Sequence, residues 1–470
     1  MLVQFSVENF LSFDEEQVFS MVATSGDQHP THLVPDVPRK GESLLRAAAL
    51  YGANGAGKSN LVQAMRFAKN LIVEGTHGTQ PIAVRPFKLG TEGGRPSKFE
   101  FIIKTQGVLY NYGFRLDANR IHEEWLYATP NKHEVKFFER TTSEEGKVDV
   151  EVGPALSGRG SKQKQLLEFV AQGTRPNQLF LTETLERNVA EAKPIVEWFG
   201  QALLVTTAEE QDYNLDVRAH ISKEFISFLA LFLQAADTGI EDITFSKQSF
   251  DFNQHVSSWP ELQRYILRVE LRQTDPNNLI QIVGDNGTPL LLAPGVNGEP
   301  VLLSLLLLHR AADGRHVEFN IQEESEGTQR LIHLLSLLFA LQGGSEQVVV
   351  LDELDRRLHP FLSRFFVQAA LERGKEHPHG QLIFTTHDTN LLDLDLLRRD
   401  EIWFAEKDKG GASHLYSLAE FKTRTDLKIE KGYLNGRFGA IPFIGDIRRL
   451  QESAEEDRAA SKPEPAGAAA

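Results

Sequence analysis

The chain has 470 residues, 41% of them hydrophobic and 24% charged, proportions that are ordinary for a soluble globular protein of two or three domains. It contains no cysteine, which excludes disulfides, thiolate zinc sites and a cysteine nucleophile. The formal charge of -15 argues against non-specific coating of nucleic acid, because such binding depends on Lys and Arg that release counterions.

Two further features bear on where the protein acts. The N-terminal stretch, Met1 to Phe13, lacks the basic segment that opens a signal peptide. The longest apolar run, Val301 to Leu308, is shorter than the hydrocarbon core of a bilayer requires. With no cysteine to form disulfides, the sequence predicts a cytoplasmic protein with no membrane partner.

The N-terminal part of the chain shows both strand and helix patterns. Alternating apolar and polar residues predict a strand at Leu2 to Val7, and a turn region follows at Asn9 to Glu16. An apolar strand ends near Tyr51, and a glycine-rich loop joins it to a helix. Short alternating segments from Pro86 to Thr129 predict antiparallel strands joined by turns. The helix after the loop places four apolar side chains near one stripe, Leu61, Met65, Phe67 and Leu71.

The middle and the end of the chain follow other patterns. The spacing from Lys162 to Leu233 is mainly helical, after a loop expected near Ser157 to Ser161. Strand patterns return at Leu267 to Gln273 and at Asn278 to Gly284. Residues 451–470 are polar, contain Ala and Pro and lack an apolar face, so we expect a disordered tail.

The glycine-rich loop carries the first chemical motif. Residues 51–60 read YGANGAGKSN and match the phosphate-loop pattern GxxxxGK[ST] between a strand and a helix. Backbone N–H groups of such a loop surround phosphates, Lys58 supplies charge to the β- and γ-phosphates, and Ser59 ligates magnesium. A chance glycine-rich turn is the alternative. The residues predicted to contact the nucleotide are Gly52, Asn54, Gly55, Ala56, Gly57, Lys58, Ser59 and Asn60.

An acidic motif lies far downstream. In QVVVLDELDRRLHP, residues 347–360, an apolar run leads directly into Asp352 and Glu353. Such a run fits a buried parallel strand, at whose carboxyl end Asp352 is predicted to hold Mg²⁺ and Glu353 to polarise the attacking water. The alternative is a strand that ends in a solvated acidic turn.

Two more elements have residues suited to a phosphate site. His387 follows the apolar strand in QLIFTTHDTNLL and is predicted to contact the γ-phosphate or position the water, with a structural histidine as the alternative. Ser325, Gly327 and Thr328 open a long apolar helix whose N-terminal N–H groups suit an anion. The alternative there is a helix capped by Ser325 with no ligand.

These motifs, taken in order, carry a family resemblance. The phosphate loop, SEGTQ, VVVLDELD and FTTHD, with a long insertion after the first, resemble an ABC-type ATPase head of the SMC, RecF and OLD group. VENFLSF, ESEGTQRL, IWFAEKD and EKGYLNGRFGAIP are similar to stand-alone AAA-family ATP-binding proteins, among them OLD-like, abortive-infection and PARIS-like anti-phage ATPases. The resemblance implies an α/β fold, an ABC-type P-loop ATPase head with an antiparallel β lobe and a helical insertion between the Walker A and signature motifs.

The resemblance also implies a division of the chain into four parts. Residues 1–130 would hold the N-terminal part of the head, with Walker A and the β lobe. Residues 131–300 would form an inserted, mainly helical region with some strands. Residues 301–450 would complete the head with the signature, Walker B and the switch histidine, and 451–470 would be the disordered tail.

The roles of individual residues follow from the same resemblance. In ABC-type heads two protomers sandwich two nucleotides, each bound by the phosphate loop of one protomer and the signature of the other. Ser325, Gly327 and Thr328 would then act in trans, in a homodimer that allows a higher oligomer. Asp355 would belong to the loop that crosses the dimer interface, and His387 would be the switch histidine.

Some positions depart from the family pattern. The signature reads SEGTQ where transporters have SGGQ, and Leu11 stands where related proteins often have an Arg on the nucleobase side. No pattern locates the glutamine that senses magnesium in related proteins, and Gln80 is the candidate offered for it. Asp393 and Asp395 imitate the paired aspartates of TOPRIM nucleases, but the surrounding residues have helical apolar spacing and too little chain follows for such a domain.

Three functions fit these residues. The leading one is an ATPase that binds ATP and Mg²⁺, dimerises on ATP, and holds and then releases a separate effector, a nuclease or toxin, in anti-phage defence. The second is a RecF-like DNA-maintenance ATPase that acts directly on DNA, although the net charge does not indicate nucleic acid. The third is a scaffold that binds ATP with little turnover.

Overall fold

The structure is a computed structural model of the chain. It describes residues 1–441 except for 27, 35–41, 79, 91–92, 131–132, 159–160, 208–214, 216–221, 274–278, 286, 288, 296–298, 344–345, 373–379 and 422–428. The tail expected to be disordered, residues 451–470, lies outside the described residues.

The strands of the described residues belong mainly to three sheets. In chain order they are β1 (Leu2–Glu8), β2 (Gln17–Ser20), β3 (Leu33–Val34), β4 (Leu44–Leu45), β5 (Ala47–Tyr51), β6 (Ser97–Thr105), β7 (Val108–Leu116), β8 (Ile121–Thr129), β9 (Val135–Thr142), β10 (Val148–Val152), β11 (Leu203–Thr206), β12 (Ile240–Ser249), β13 (Ile280–Val283), β14 (Pro289–Pro294), β15 (Pro300–Arg310), β16 (His316–Asn320), β17 (Val348–Leu351), β18 (Gln381–Thr385), β19 (Ile402–Lys407) and β20 (Ser413–Ser417).

The α-helices pack on the faces of these sheets. In chain order they are α1 (Lys58–Glu74), α2 (Pro154–Ser157), α3 (Ser161–Gly173), α4 (Phe180–Glu186), α5 (Lys193–Glu197), α6 (Lys223–Ala235), α7 (Phe252–His255), α8 (Glu261–Gln273), α9 (Glu326–Gln342), α10 (Pro360–Glu372) and α11 (Ile429–Leu434). Within the described part of the chain, no helix combines the length and the apolar composition needed to cross a membrane.

The central sheet is mostly parallel and positions the phosphate loop. Its six strands run in the order β11-β17-β18-β5-β19-β20, and all neighbours except β19 and β20 are parallel. Side chains of β5 alternate between two cores, with Ala48 and Leu50 in one and Ala47, Ala49 and Tyr51 in the other. This burial on both faces explains why β5 and β17 read as unbroken apolar runs.

A second sheet forms the antiparallel lobe. Its seven strands run in the order β10-β9-β8-β7-β6-β1-β2, and β6 alternates between buried and partly exposed residues along its whole length. The strand expected at Leu2 to Val7 and the antiparallel strands expected between Pro86 and Thr129 are therefore confirmed. Because β9 pairs with β8, the sheet continues to Val152, and the boundary expected at residue 130 falls inside it.

A third, five-stranded sheet crosses the boundary expected at residue 300, because β12 to β14 precede it and β15 and β16 extend beyond it. β12, β15, β14 and β13 follow one another, β16 pairs with β15, and α6 packs against β12. The region expected to be mainly helical thus contains strands β9 to β14 among its helices. The α/β class, the antiparallel lobe and the insertion between the phosphate loop and α9 are confirmed.

Two local expectations were wrong. The segment Leu267 to Gln273, expected as a strand, forms the second half of α8, because Leu267 and Leu271 lie one helical turn apart and are both buried. β11 occupies Leu203–Thr206 inside a stretch expected to be helical, and it pairs in parallel with β17. Of the stripe expected on α1, Leu61, Met65 and Leu71 are buried, whereas Phe67 is only partly buried and lines a cleft.

Candidate functional site

The phosphate loop connects β5 to α1 and includes two glycines that the backbone geometry requires. Gly57, which precedes α1, has a left-handed φ of 110°, and a Cβ there would lie 2.4 Å from Ser413 Oγ. A Cβ on Gly52 would lie 2.4 Å from the backbone oxygen of Ala405. Asn54 and Gly55 are exposed at the tip of the loop, and Ala56 is buried below them.

Lys58, the first residue of α1, points back into its own loop. Its Nζ donates to Gly52 O at 2.8 Å and to Ala53 O at 3.2 Å, and only 5% of the residue is exposed. Burial lowers the pKa of Lys58 to about 8, although the charges of Asp352 and Glu353 oppose that shift. A phosphate arriving at this loop would meet an ammonium group that has little solvation to lose.

The candidate magnesium residues contact each other across the sheet edge. Ser59 Oγ donates to Asp352 Oδ1 at 3.1 Å, and Asp352 is 8% exposed at the end of β17. Among the described residues, no group of three or more His, Asp or Glu side chains is placed to hold a metal by itself. One hydroxyl and one carboxylate fit Mg²⁺, which takes most of its ligands from water and substrate phosphates.

Thr385, the last residue of β18, was not predicted as a site residue. Its Oγ1 donates to Asp352 Oδ1 at 2.6 Å and accepts from the backbone N–H of Glu353 at 2.8 Å. β17 and β18 are parallel neighbours, so this hydroxyl stands where both acidic residues leave the sheet. The signal for it was its place two residues before His387 at a strand end.

Glu353 lies in an unusual backbone conformation beside an open cleft. Its φ is 49°, a left-handed value that is rare for a residue other than glycine and that is often found at functional sites. Its carboxylate faces Arg356, with 3.5 Å between Oε2 and Nη1. The cleft has a volume of about 570 Å³, and its lining includes Ser59, Gln63, Asp352, Glu353 and Arg356.

His387 and Asp355 approach the same edge from separate loops. The backbone N–H of His387 donates to Asp355 Oδ1 at 3.3 Å, and Lys58 Nζ lies 3.4 Å from His387 Nδ1. Partial burial and the neighbouring Lys58 charge lower the pKa of His387, so its ring is neutral at pH 7. Because an ammonium group can only donate, this contact favours the tautomer of His387 that carries its ring proton on Nε2.

Ser325, Gly327 and Thr328 lie at the start of α9. Ser325 Oγ caps the helix by accepting from the backbone N–H of Thr328 at 3.1 Å, and Ser325 is exposed. None of the three lines the cleft beside Asp352. The structure therefore joins Lys58 to the acidic residues and leaves the helix start facing outward.

A smaller cleft adjoins the larger one and shares Arg85 with its lining. Its volume is about 330 Å³, and Leu11, Asn60, Lys88, Leu89 and Lys407 are among the residues that line it. At its floor, Asn60 Nδ2 donates to Ser12 Oγ at 2.6 Å. Leu11, which departs from the family pattern, thus lines a cleft that has both apolar and cationic side chains.

Two other expectations concern residues outside these clefts. Gln80 is exposed, and neither cleft includes it, whereas Gln63 lines the larger cleft and accepts from Arg85 Nη2 at 2.6 Å. Asp393 forms an ion pair with Arg364 at 2.9 Å. The helical spacing inferred around Asp393 and Asp395 was wrong, because these residues lie in turns between short 3-10 segments.

Comparisons with known proteins supply a family and remote structural relatives. A family model described as "AAA domain, putative AbiEii toxin, Type IV TA system" matches residues 47–169 and 173–393, which is more than half of the chain. A search of curated protein sequences found no match. Among solved structures, the chain is similar to the SMC head domain from Thermotoga maritima, with 13% identity and a TM-score of 0.34 over 88% of this chain and 98% of that one.

Two further solved structures are similar at the same level. The SmcHead bound to the C-winged helix domain of ScpA has 13% identity and a TM-score of 0.38, over 88% of this chain and 97% of that one. The recombination mediator protein RecF-ATPrS of the RecFOR pathway has 12% identity and a TM-score of 0.34, over 88% of this chain and 98% of that one.

Proposed function

Because the chain belongs to this AAA domain family, we propose that it is an ATPase that binds ATP with Mg²⁺ and hydrolyses its terminal phosphate as a homodimer. The observation that carries this proposal is the meeting of Lys58, Asp352 and Glu353 at one edge of the parallel sheet. Ser59, the residue after Lys58, donates to Asp352, and Ser59, Asp352 and Glu353 line one cleft. A phosphate loop with a metal carboxylate and a base is the minimal equipment for phosphoryl transfer to water.

Each residue of the edge then has one task. The loop N–H groups and Lys58 hold the β- and γ-phosphates, and Ser59 and Asp352 hold the cation. The Mg²⁺ that accompanies ATP supplies charge to the phosphate oxygens. Glu353 accepts a proton from the attacking water, and neutral His387 donates from Nε2 to the γ-phosphate or the water.

The smaller cleft is assigned to the nucleoside. Ser59 faces the larger cleft and Asn60, the next residue, faces the smaller one, so phosphates on the loop would extend from one cleft to the other. Leu11 and Leu89 offer apolar surface to a base, and Lys407 offers a cation beside the sugar or the α-phosphate. ATP is the expected nucleotide from the family resemblance.

The homodimer accounts for the position of the helix start. Ser325, Gly327 and Thr328 lie outside both clefts, and Ser325 is exposed, so the start of α9 can face a nucleotide held by a second copy. A two-state head of this kind opens and closes with nucleotide and therefore suits the control of another protein. The proposed partner is an effector with nuclease or toxin chemistry, in defence against phage.

Phosphate release from ATP by the purified chain tests the enzymatic proposal. We expect Mg²⁺-dependent release by the wild type and a loss of at least about a hundredfold in Glu353→Gln, because the variant keeps the shape of the site but not the base. Equal rates would refute the role of Glu353. Tight, salt-sensitive, ATP-dependent binding of DNA by the chain alone would favour the alternative of a DNA-maintenance ATPase over an effector-controlling one.

A further inference from the structure

Arg330 connects the start of α9 to the acidic end of β17. It lies in the second turn of α9 and is 7% exposed. Its Nη2 is 3.4 Å from Asp352 O and 3.3 Å from Glu353 O, so one guanidinium group contacts the backbone of both acidic residues. Glu353 is the residue with the left-handed φ of 49°, and its conformation depends on such contacts.

A second contact joins the same two elements nearer the surface. Arg357 Nε forms an ion pair of 3.2 Å with Glu326 Oε2, in the first turn of α9. A Cβ on Gly327 would lie 2.9 Å from Arg357 O, so the helix start and the loop after β17 are in close contact. Gly327 therefore has a packing reason to be glycine besides any contact with an anion.

The charge on Arg330 is poorly satisfied where it lies. Within the described residues, its Nε and Nη1 have no hydrogen-bond partner. Burial lowers the pKa of Arg330 to about 10, helped by Arg356 and opposed by the charges of Glu353 and Asp352. A buried guanidinium group with unsatisfied donors destabilises the folded state. Such an arrangement is unusual for a residue that serves packing alone.

From this geometry we propose that Arg330 is a positioning residue. It transmits the binding of nucleotide at the start of α9 to Glu353 of the same chain. The inference rests on the proposed homodimer, in which the helix start of one protomer receives the nucleotide held by its partner. A small shift of α9 on that nucleotide moves Arg330 and, with it, the backbone of Glu353. Occupancy of one site then sets the rate of hydrolysis at the other.

The test measures ATP hydrolysis against ATP concentration, together with equilibrium ATP binding, in four versions of the full chain. The wild type should show a Hill coefficient above 1. Arg330→Met should lower turnover by about tenfold or more and bring the Hill coefficient to 1, with ATP affinity within about twofold. Arg330→Lys should recover part of the turnover and part of the cooperativity, because it restores one donor to the backbone oxygens of Asp352 and Glu353. Arg364→Met, on the neighbouring α10, is the matched control and should behave as the wild type.

The outcomes separate this inference from the function on which it rests. A wild type that does not hydrolyse ATP overturns the proposed function and the inference with it. Cooperative hydrolysis that survives in Arg330→Met overturns the inference alone. If Arg330→Met fails to fold, Arg357→Ala replaces it, because the Arg357 side chain is 50% exposed. A lower Hill coefficient in that variant supports the inference, and an unchanged one overturns it.

Discussion

Thr385 holds Asp352 from the neighbouring strand, with its hydroxyl 2.6 Å from Asp352 Oδ1. Thr385 Oγ1 also accepts from the backbone N–H of Glu353 at 2.8 Å, so one side chain fixes both acidic residues against β18. The arrangement ties Asp352, the proposed Mg²⁺ ligand, and Glu353, the candidate base, to the strand that precedes His387.

Replacement of Thr385 by valine keeps the shape and removes the hydroxyl. Thr385→Val should cost about 1–3 kcal/mol of unfolding free energy, because it leaves the N–H of Glu353 without its acceptor. Hydrolysis should fall with it, and Thr385→Ser should recover both quantities. Urea unfolding and phosphate release measure the two effects. A valine variant as stable and as active as the wild type would show that this hydroxyl does not hold the site.

A matched pair of glycines tests the backbone of the phosphate loop. Gly57→Ala should abolish ATP binding, because the new methyl group would lie 2.4 Å from Ser413 Oγ in a backbone with φ 110°. Gly55→Ala, with φ 77° and no described atom within 4 Å of the new Cβ, should cost only about 1–2 kcal/mol of strain. Calorimetric titration with ATP compares them. Equal ATP affinities in the two variants would contradict the requirement for glycine at position 57.

The lowered pKa of Lys58 predicts how ATP binding depends on pH. With its pKa at about 8, Lys58 loses its proton above that pH in the free chain, and binding must restore it. The dissociation constant for ATP should therefore rise by up to about tenfold per pH unit above pH 8. Calorimetry between pH 7 and 10 measures this, and Lys58→Met should remove the dependence. A flat profile in the wild type would contradict it.

The same shift affects stability in the opposite direction. In the unfolded chain the pKa of Lys58 returns to 10.5, so between about pH 8 and 10.5 the unfolded state binds more protons than the folded state. The contribution of Lys58 to the free energy of unfolding therefore rises with pH across that window.

The smaller cleft is tested by comparing ATP with inorganic tripolyphosphate. Leu89 is 68% exposed beside the phosphate loop, and a base resting on it would bury apolar surface. Leu89→Ser, a neutral change, should weaken ATP binding by about tenfold, the equivalent of one buried apolar side chain, and leave tripolyphosphate unaffected. Equal losses for both ligands would place the effect at the phosphates and refute a nucleoside site here.

The sequence was informative wherever residues close together in the chain make the site. The phosphate loop lies between its strand and helix within one short stretch, and Asp352, Glu353 and His387 follow apolar strands whose carboxyl ends meet at one edge. Because the carboxyl ends of parallel strands meet at one edge of a sheet, these residues can be placed together without any knowledge of the intervening residues.

The sequence did not predict the residues whose roles depend on contacts between distant segments. Arg330 and Thr385 take their roles from partners that only the folded sheet brings near, and neither stands in a pattern of its own. The same holds for the smaller cleft, which Leu11, Leu89 and Lys407 reach from three separate segments. The error over α8 has a different cause, because Leu267, Val269 and Leu271 satisfy strand alternation as well as helical spacing.

Complementation between two inactive variants tests the proposed homodimer most directly. Lys58→Ala removes the charge of one phosphate loop, and Ser325→Arg blocks one helix start at an exposed position. Each variant alone should be inactive, whereas their mixture should recover up to about a quarter of wild-type hydrolysis, because half of the dimers then hold one intact site. Coupling through Arg330 lowers this figure, because the second site of those dimers stays empty. A mixture as inactive as its components, or full activity in Ser325→Arg alone, would contradict a nucleotide shared between two copies of the chain.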